Sequence, residues 1–112
     1  MANVIDRDEL KGLIDAGEVI VVEALGPVYF EEQHLPGAVN IPHTEVRELA
    51  PRLLPDRTAA IVTYCSNAAC RNSEAAAREL EAMGYTNVRK YEAGKQDWIE
   101  AGLPTESSAV AA

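Results

Sequence analysis

The run Ala59-Ala60-Ile61-Val62-Thr63-Tyr64 passes directly into Cys65-Ser66-Asn67-Ala68-Ala69-Cys70-Arg71-Asn72, and Ser73 then opens a helical stretch reaching Met83. The first piece is apolar and largely β-branched, which suits a strand covered on both faces. The last is the strongest helix pattern in the chain. Ala76, Leu80 and Met83 share one face, Glu74 and Arg78 form a favourable pair four residues apart, and Gly84 stops the helix. Strand, small polar loop and helix in succession decide the fold, because the same alternation continues in both directions.

Upstream, Asp6 is placed to cap a helix, with Glu9 in the reciprocal position, Leu10, Leu13 and Ile14 on one face, and Gly17 at the end. Val19 to Glu23 is a second buried-strand pattern. Tyr29 to Gln33 reads as a short helical turn, and His34-Leu35-Pro36-Gly37-Ala38 as a turn leading into a brief strand, Ala38 to Ile41, that Pro42 ends. Glu45 to Leu54 reads as a helix capped by Thr44 and interrupted late by Pro51. Downstream, Asn87 to Tyr91 is a strand, Gly94 turns the chain, and Trp98-Ile99 begins a last helix ending at Gly102-Leu103-Pro104. Strands alternating with helices predict an α/β domain, a doubly wound and mainly parallel sheet of four to five strands flanked by helices. Its expected span is residues 1–104, with 105–112 as a flexible C-terminal tail.

A chain of 112 residues holds one domain, and 47% apolar with 25% charged residues is ordinary for a globular protein. Eighteen acidic against ten basic side chains give a net charge of −8. That balance argues against nucleic acid or an anionic membrane as the main partner. No apolar run approaches the roughly 20 residues of a membrane span, and the N-terminal residues lack a basic-then-apolar leader pattern, so a cytoplasmic location is expected. In a reducing compartment Cys65 and Cys70 are expected as thiols. Two cysteines without further Cys or His nearby are an incomplete metal set, and no cofactor is implied.

Ligand crevices of open parallel sheets lie at the carboxyl ends of the strands, where Cys65 is placed. The small side chains of Ser66, Asn67, Ala68 and Ala69 let the backbone curl and turn N–H groups inward, and the helix that follows adds the positive end of its dipole. Such a cradle binds an anion and favours the thiolate of a cysteine at its centre; Arg71 adds a formal charge. The competing reading makes Cys65 a small buried hydrophobe. Cys70 either packs at the helix start or resolves a modified Cys65 as an intraloop disulfide. Cys65 and Arg71 also satisfy Cys-x5-Arg, the spacing of cysteine phosphatases and arsenate reductases. Against that reading, Tyr64 stands where those enzymes usually carry His, and the loop has no general-acid carboxylate. His34 is expected to order its turn, and Trp98 and Tyr91 to pack in the core.

Val19 to Pro104 resembles the single-domain rhodaneses, the thiosulfate sulfurtransferase-like family. Four stretches carry the resemblance. His34-Leu35-Pro36-Gly37-Ala38-Val39-Asn40-Ile41-Pro42 is similar to the family's G-H-I-P-G-A-x-N-I-P, with Gln33 in place of Gly. Tyr64-Cys65, its loop and Ser73 resemble the strand and active-site loop. Gly84-Tyr85-Thr86-Asn87-Val88 matches G-Y-x-N-V. Gly94 with Trp98 resembles G-G-x-x-x-W, with Ala93 in place of the first Gly.

The resemblance implies a sulfurtransferase in which Cys65 takes a sulfane sulfur from a small sulfur-containing anion or persulfide donor. The resulting persulfide, held by N–H groups of residues 66 to 71, passes to a thiol or cyanide acceptor. Two departures stand out. The loop is two residues longer than usual and resembles a variant with Cys-x4-Cys. Glu23 and Leu25 occupy the positions of the familiar Asp-x-Arg, and losing that Arg implies weaker thiosulfate turnover. A non-catalytic binding or regulatory module is the alternative within the same family.

Overall fold

The Asp6 carboxylate accepts the Glu9 N–H at 2.8 Å, and Gly17 closes the first helix in the left-handed region at φ 69°. Both ends of that helix are therefore satisfied locally. In the computed structural model, which describes residues 3–108, ten elements follow in order. They are β1 (Asn3–Val4), α1 (Arg7–Ala16), β2 (Ile20–Glu23), α2 (Pro27–Glu32), β3 (Val39–Asn40), α3 (Val46–Leu53), β4 (Ile61–Tyr64), α4 (Asn72–Ala82), β5 (Val88–Tyr91) and α5 (Gly94–Glu100). The strands form one sheet in the order β1-β5-β4-β2-β3, and every pairing is parallel. Among the described residues no helix is long and apolar enough to cross a membrane.

Alternation along the central strands builds two cores. Val22, Ile61 and Val88 face one layer, where they meet Val46 and Ala50 of α3 and Ala76, Ala77 and Leu80 of α4. Val21, Val62, Tyr64 and Tyr91 face the other, against Leu10 of α1, Leu35 and Trp98 of α5. Sheet strands covered on both faces explain why β2 and β4 read as continuous apolar runs. Burial of each such Leu or Ile contributes about 1.5–3 kcal/mol. Trp98 and Tyr91 are core residues as expected, edge to face at 6.2 Å, with the indole N–H donating to the Pro104 carbonyl.

The α/β architecture is as predicted, and four elements differ in detail. β1 is an additional edge strand, two residues long and too short to carry a pattern. α2 begins earlier, with Pro27 in its first turn, where a missing N–H costs nothing. α3 is entered from Glu45, not Thr44, has no side-chain cap, and runs through Pro51 to Leu53. α5 starts at Gly94, four residues before Trp98, because its first N–H groups find acceptors in a distant loop: Lys95 N–H donates to the Cys65 carbonyl and Gln96 N–H to the Ser66 carbonyl, both at 2.8 Å.

The expected flexible tail is corrected for residues 105–108. Glu106 and His34 exchange backbone hydrogen bonds at 2.9 and 2.8 Å. Thr105 Oγ1 accepts from Gln33, the Glu106 carboxylate accepts the Gly37 N–H, and Ser107 and Ser108 both donate to the Glu31 carbonyl. Backbone groups do most of this pinning, so side-chain composition carries no sign of it. Residues 109–112 of the expected tail lie outside the described residues.

Candidate active site

Register places Glu23, Tyr64 and Tyr91 side by side at the carboxyl ends of β2, β4 and β5. Cys65 follows Tyr64 on the central strand and is 1% exposed. Its loop, Cys65 to Arg71, connects β4 to α4. The Cys65 and Ser66 carbonyls are fixed by the N-terminal N–H groups of α5, so one helix supports the loop while a second receives it.

Gly94 makes this approach feasible. Its φ is 82°, and a Cβ built there would lie 2.7 Å from the Asn67 nitrogen and 2.8 Å from the Asn67 Cα. Both obstacles are backbone. Gly94→Ala is therefore expected to displace the loop and cost about 1–3 kcal/mol in urea unfolding. An unchanged midpoint would show that the loop yields freely.

Within the loop, Asn67 makes the turn. Its side-chain carbonyl accepts the Ala69 N–H at 3.0 Å and its backbone carbonyl accepts the Cys70 N–H at 3.1 Å. This curl returns Cys70 toward the strand end. Cys65 and Cys70 are joined by a disulfide, their Cα atoms 6.2 Å apart and inside the bridging range. The expectation of two thiols is thus corrected, because the Asn67 turn brings the side chains together. Of the six N–H groups expected to form a cradle, Ala69 and Cys70 are engaged by Asn67. Those of Ser66, Asn67, Ala68 and Arg71 have no acceptor among the described residues. The Ser66 hydroxyl lies 3.8 Å from Cys65 Sγ.

Arg71 immediately precedes α4 with its side chain 88% exposed and its guanidinium 3.8 Å from Glu74. The Cys-x5-Arg spacing therefore sends its guanidinium to the solvent side. Glu74 also accepts from Lys90 at 3.2 Å, and these cations, Lys90 first, hold its carboxyl below the usual range. Ala68, Cys70, Arg71, Ser73, Glu74, Lys90 and Glu92 line a polar cleft of about 140 Å³. On the other side of the loop, Ser66, Asn67, Lys95, Gln96, Ile99 and Glu100 line a shallower one of about 310 Å³. Among the described residues no group of three or more His, Cys, Asp or Glu is disposed to hold a metal ion.

Beneath the loop lies a buried charge network that sequence reading missed. The Glu23 carboxylate, 0% exposed, accepts from Lys95 Nζ at 3.0 and 3.1 Å and from the Tyr64 hydroxyl at 2.6 Å. Lys95 also donates to the Tyr29 and Gln33 carbonyls, and the Tyr64 oxygen accepts the Leu35 N–H. Burial, and then the Glu23 charge, push the Tyr64 phenol far above its ordinary value, so it stays a donor. Leu25, where a cation is absent, is buried, and Lys95 from α5 supplies the positive charge instead. His34 is structural as expected: it stacks on Phe30 at 3.9 Å and its Nδ1 meets the Phe30 carbonyl at 2.7 Å.

Comparison with known proteins fits this architecture. The profile of the rhodanese-like domain matches residues 6–101. The HTH-type transcriptional regulator Rv0324 of Mycobacterium tuberculosis is 35% identical over 105 residues, which is 94% of this chain and 45% of that protein. Thiosulfate sulfurtransferase PspE of Escherichia coli is 39% identical over 62 residues, 55% of this chain and 58% of that protein. The chain thus spans about half the length of the curated relatives it matches. Among solved structures, the BH2092 protein of Bacillus halodurans superposes with a TM-score of 0.87 at 26% identity, over 96% of this chain and 78% of that one.

Proposed function

This chain belongs to the rhodanese-like domain family, and from that premise we propose that it is a sulfurtransferase whose Cys65 carries the sulfur. The observation that supports this most is the position of Cys65: buried at the carboxyl end of the central strand, under a loop with unengaged N–H groups and in front of the α4 N-terminus. A dithiol reductant first opens the Cys65–Cys70 disulfide, leaving as its own disulfide while both cysteines become thiols. The Cys65 thiolate then attacks the outer sulfur of a donor such as thiosulfate, the sulfur–sulfur bond of the donor breaks, and sulfite leaves. The persulfide passes its outer sulfur to a thiol or cyanide, and the Cys65 thiolate returns. The free N–H groups of Ser66, Asn67, Ala68 and Arg71 stabilise negative charge on the terminal sulfur. Arg71, exposed at the rim, attracts anionic donors without enclosing them.

Intact-mass measurement of the reduced Cys70→Ser variant, which has no second loop thiol to remove the sulfur, after thiosulfate, and separately polysulfide, tests this reading. The expected product gains one sulfur atom on Cys65, removable by cyanide. Absence of that adduct with both donors would overturn it. The relative named as a transcriptional regulator favours a second reading, a binding or regulatory module. In that case sulfur loads onto Cys65 but no acceptor turns it over.

A further inference from the structure

The disulfide has two unlike halves. Cys65 is buried, whereas Cys70 is partly exposed and lines the polar cleft beside Lys90 and Arg71. Cys70 Sγ is bonded to Cys65 Sγ while Asn67 holds the loop turn and α4 begins at Asn72. The second thiol therefore reaches the nucleophile's own sulfur in the folded chain, with helix and turn in place.

We infer that Cys70 discharges the Cys65 persulfide internally, making the domain a hydrosulfide-releasing thiosulfate reductase that runs on a dithiol reductant. This rests on the sulfurtransferase reading and extends it. The Cys70 thiolate attacks Cys65 Sγ, the bond between Cys65 Sγ and the outer sulfur breaks, and hydrosulfide leaves. The two cysteines are oxidised to the disulfide and the sulfane sulfur is reduced.

Regeneration has a fixed direction. The incoming dithiol attacks Cys70, the sulfur that faces the cleft, and Cys65 departs as the thiolate. Departure is favoured because the loop N–H groups and the α4 dipole stabilise negative charge there. The second thiol of the reductant then attacks the mixed disulfide and frees Cys70. Per cycle, thiosulfate and a dithiol become sulfite, hydrosulfide, an oxidised dithiol and one proton. A reaction that supplies reduced dithiol, and one that consumes hydrosulfide, are the neighbours this chemistry requires.

Thiosulfate is the probe, because its own leaving group is sulfite and hydrosulfide then arises only from the second step. The chain is reduced with dithiothreitol, freed of reductant and given excess thiosulfate. The expected result is one hydrosulfide per chain and a product two hydrogen masses lighter than the reduced chain. Cys70→Ser is expected to keep the added sulfur on Cys65 and release none. A parent chain that retains the sulfur on Cys65 with no hydrosulfide overturns the inference while leaving the sulfurtransferase reading intact. Sulfur carried on Cys70 with no hydrosulfide overturns the inference, and the reading then stands only if Cys70→Ser still loads Cys65. Failure of both chains to load from thiosulfate overturns the inference, and failure with polysulfide as well removes the sulfurtransferase reading beneath it. With dithiothreitol replenished, the parent turns over repeatedly and Cys70→Ser falls at least about tenfold behind; equal rates likewise overturn it.

Discussion

Cys65→Ser is expected to end sulfur transfer from thiosulfate and from polysulfide, lowering turnover by roughly a thousandfold or more, equivalent to about 4 kcal/mol of barrier. A serine hydroxyl is not ionised near neutral pH, and among the described residues the side chain at position 65 meets Ser66 and Cys70 but no hydrogen-bonded base that could activate it. Its hydrogen bond to Ser66 is the one local contact the new oxygen can take over. The cost to the fold is separable. Under oxidising conditions the variant loses the Cys65–Cys70 bridge, which closes a loop of sequence separation 5; loop-closure entropy for so short a ring is about 2 kcal/mol. Under reducing conditions no bridge exists in either chain and urea midpoints are expected to agree closely. The decisive measurement is intact mass of the reduced variant after each donor. A sulfur adduct on Cys70 in that variant would show that the loop has a second competent nucleophile.

What could be read from the sequence was what local chemistry encodes. Asp6 caps α1 through a bond spanning three residues, and β2 and β4 announce burial on both faces through unbroken apolar runs. Cys65 was placed at a strand end because the strand, loop and helix are contiguous. The parts that escaped depend on partners far along the chain. The N-terminal N–H groups of α5 are capped by carbonyls of residues 65 and 66, so nothing next to Gly94 marks a helix start. Residues 105–108 are held by backbone pairing to His34 and Glu31, which leaves no side-chain pattern. The bridge between Cys65 and Cys70 needed the Asn67 turn, and from spacing alone it stood level with simple packing of Cys70. The Glu23–Lys95 contact spans 72 residues, and each member alone resembles an ordinary surface charge.

Lys95→Met is expected to cost about 3–5 kcal/mol, because it leaves the fully buried Glu23 carboxylate without its cation. The aliphatic part of the replacement fills much the same space, so lost packing is the smaller contribution. The Tyr64 hydroxyl remains as a donor, but one neutral hydrogen bond at 2.6 Å does not offset an unpaired charge in the interior. The Tyr29 and Gln33 carbonyls lose their shared donor at the same time. Glu23→Gln strands Lys95 in the reverse sense and is expected to be comparably damaging. Removing both charges in Glu23→Gln/Lys95→Met leaves no buried ion, so the double variant is expected to be less destabilised than the sum of the singles, by about 1–3 kcal/mol. Urea unfolding of the four chains closes the cycle, and simple additivity would deny the pair its role. The same set reaches the active loop, since the backbone N–H of Lys95 holds the Cys65 carbonyl. A side chain that no longer anchors α5 to β2 lets that helix N-terminus drift from the loop, and sulfur loading of folded Lys95→Met is expected to slow while that of the double variant partly recovers.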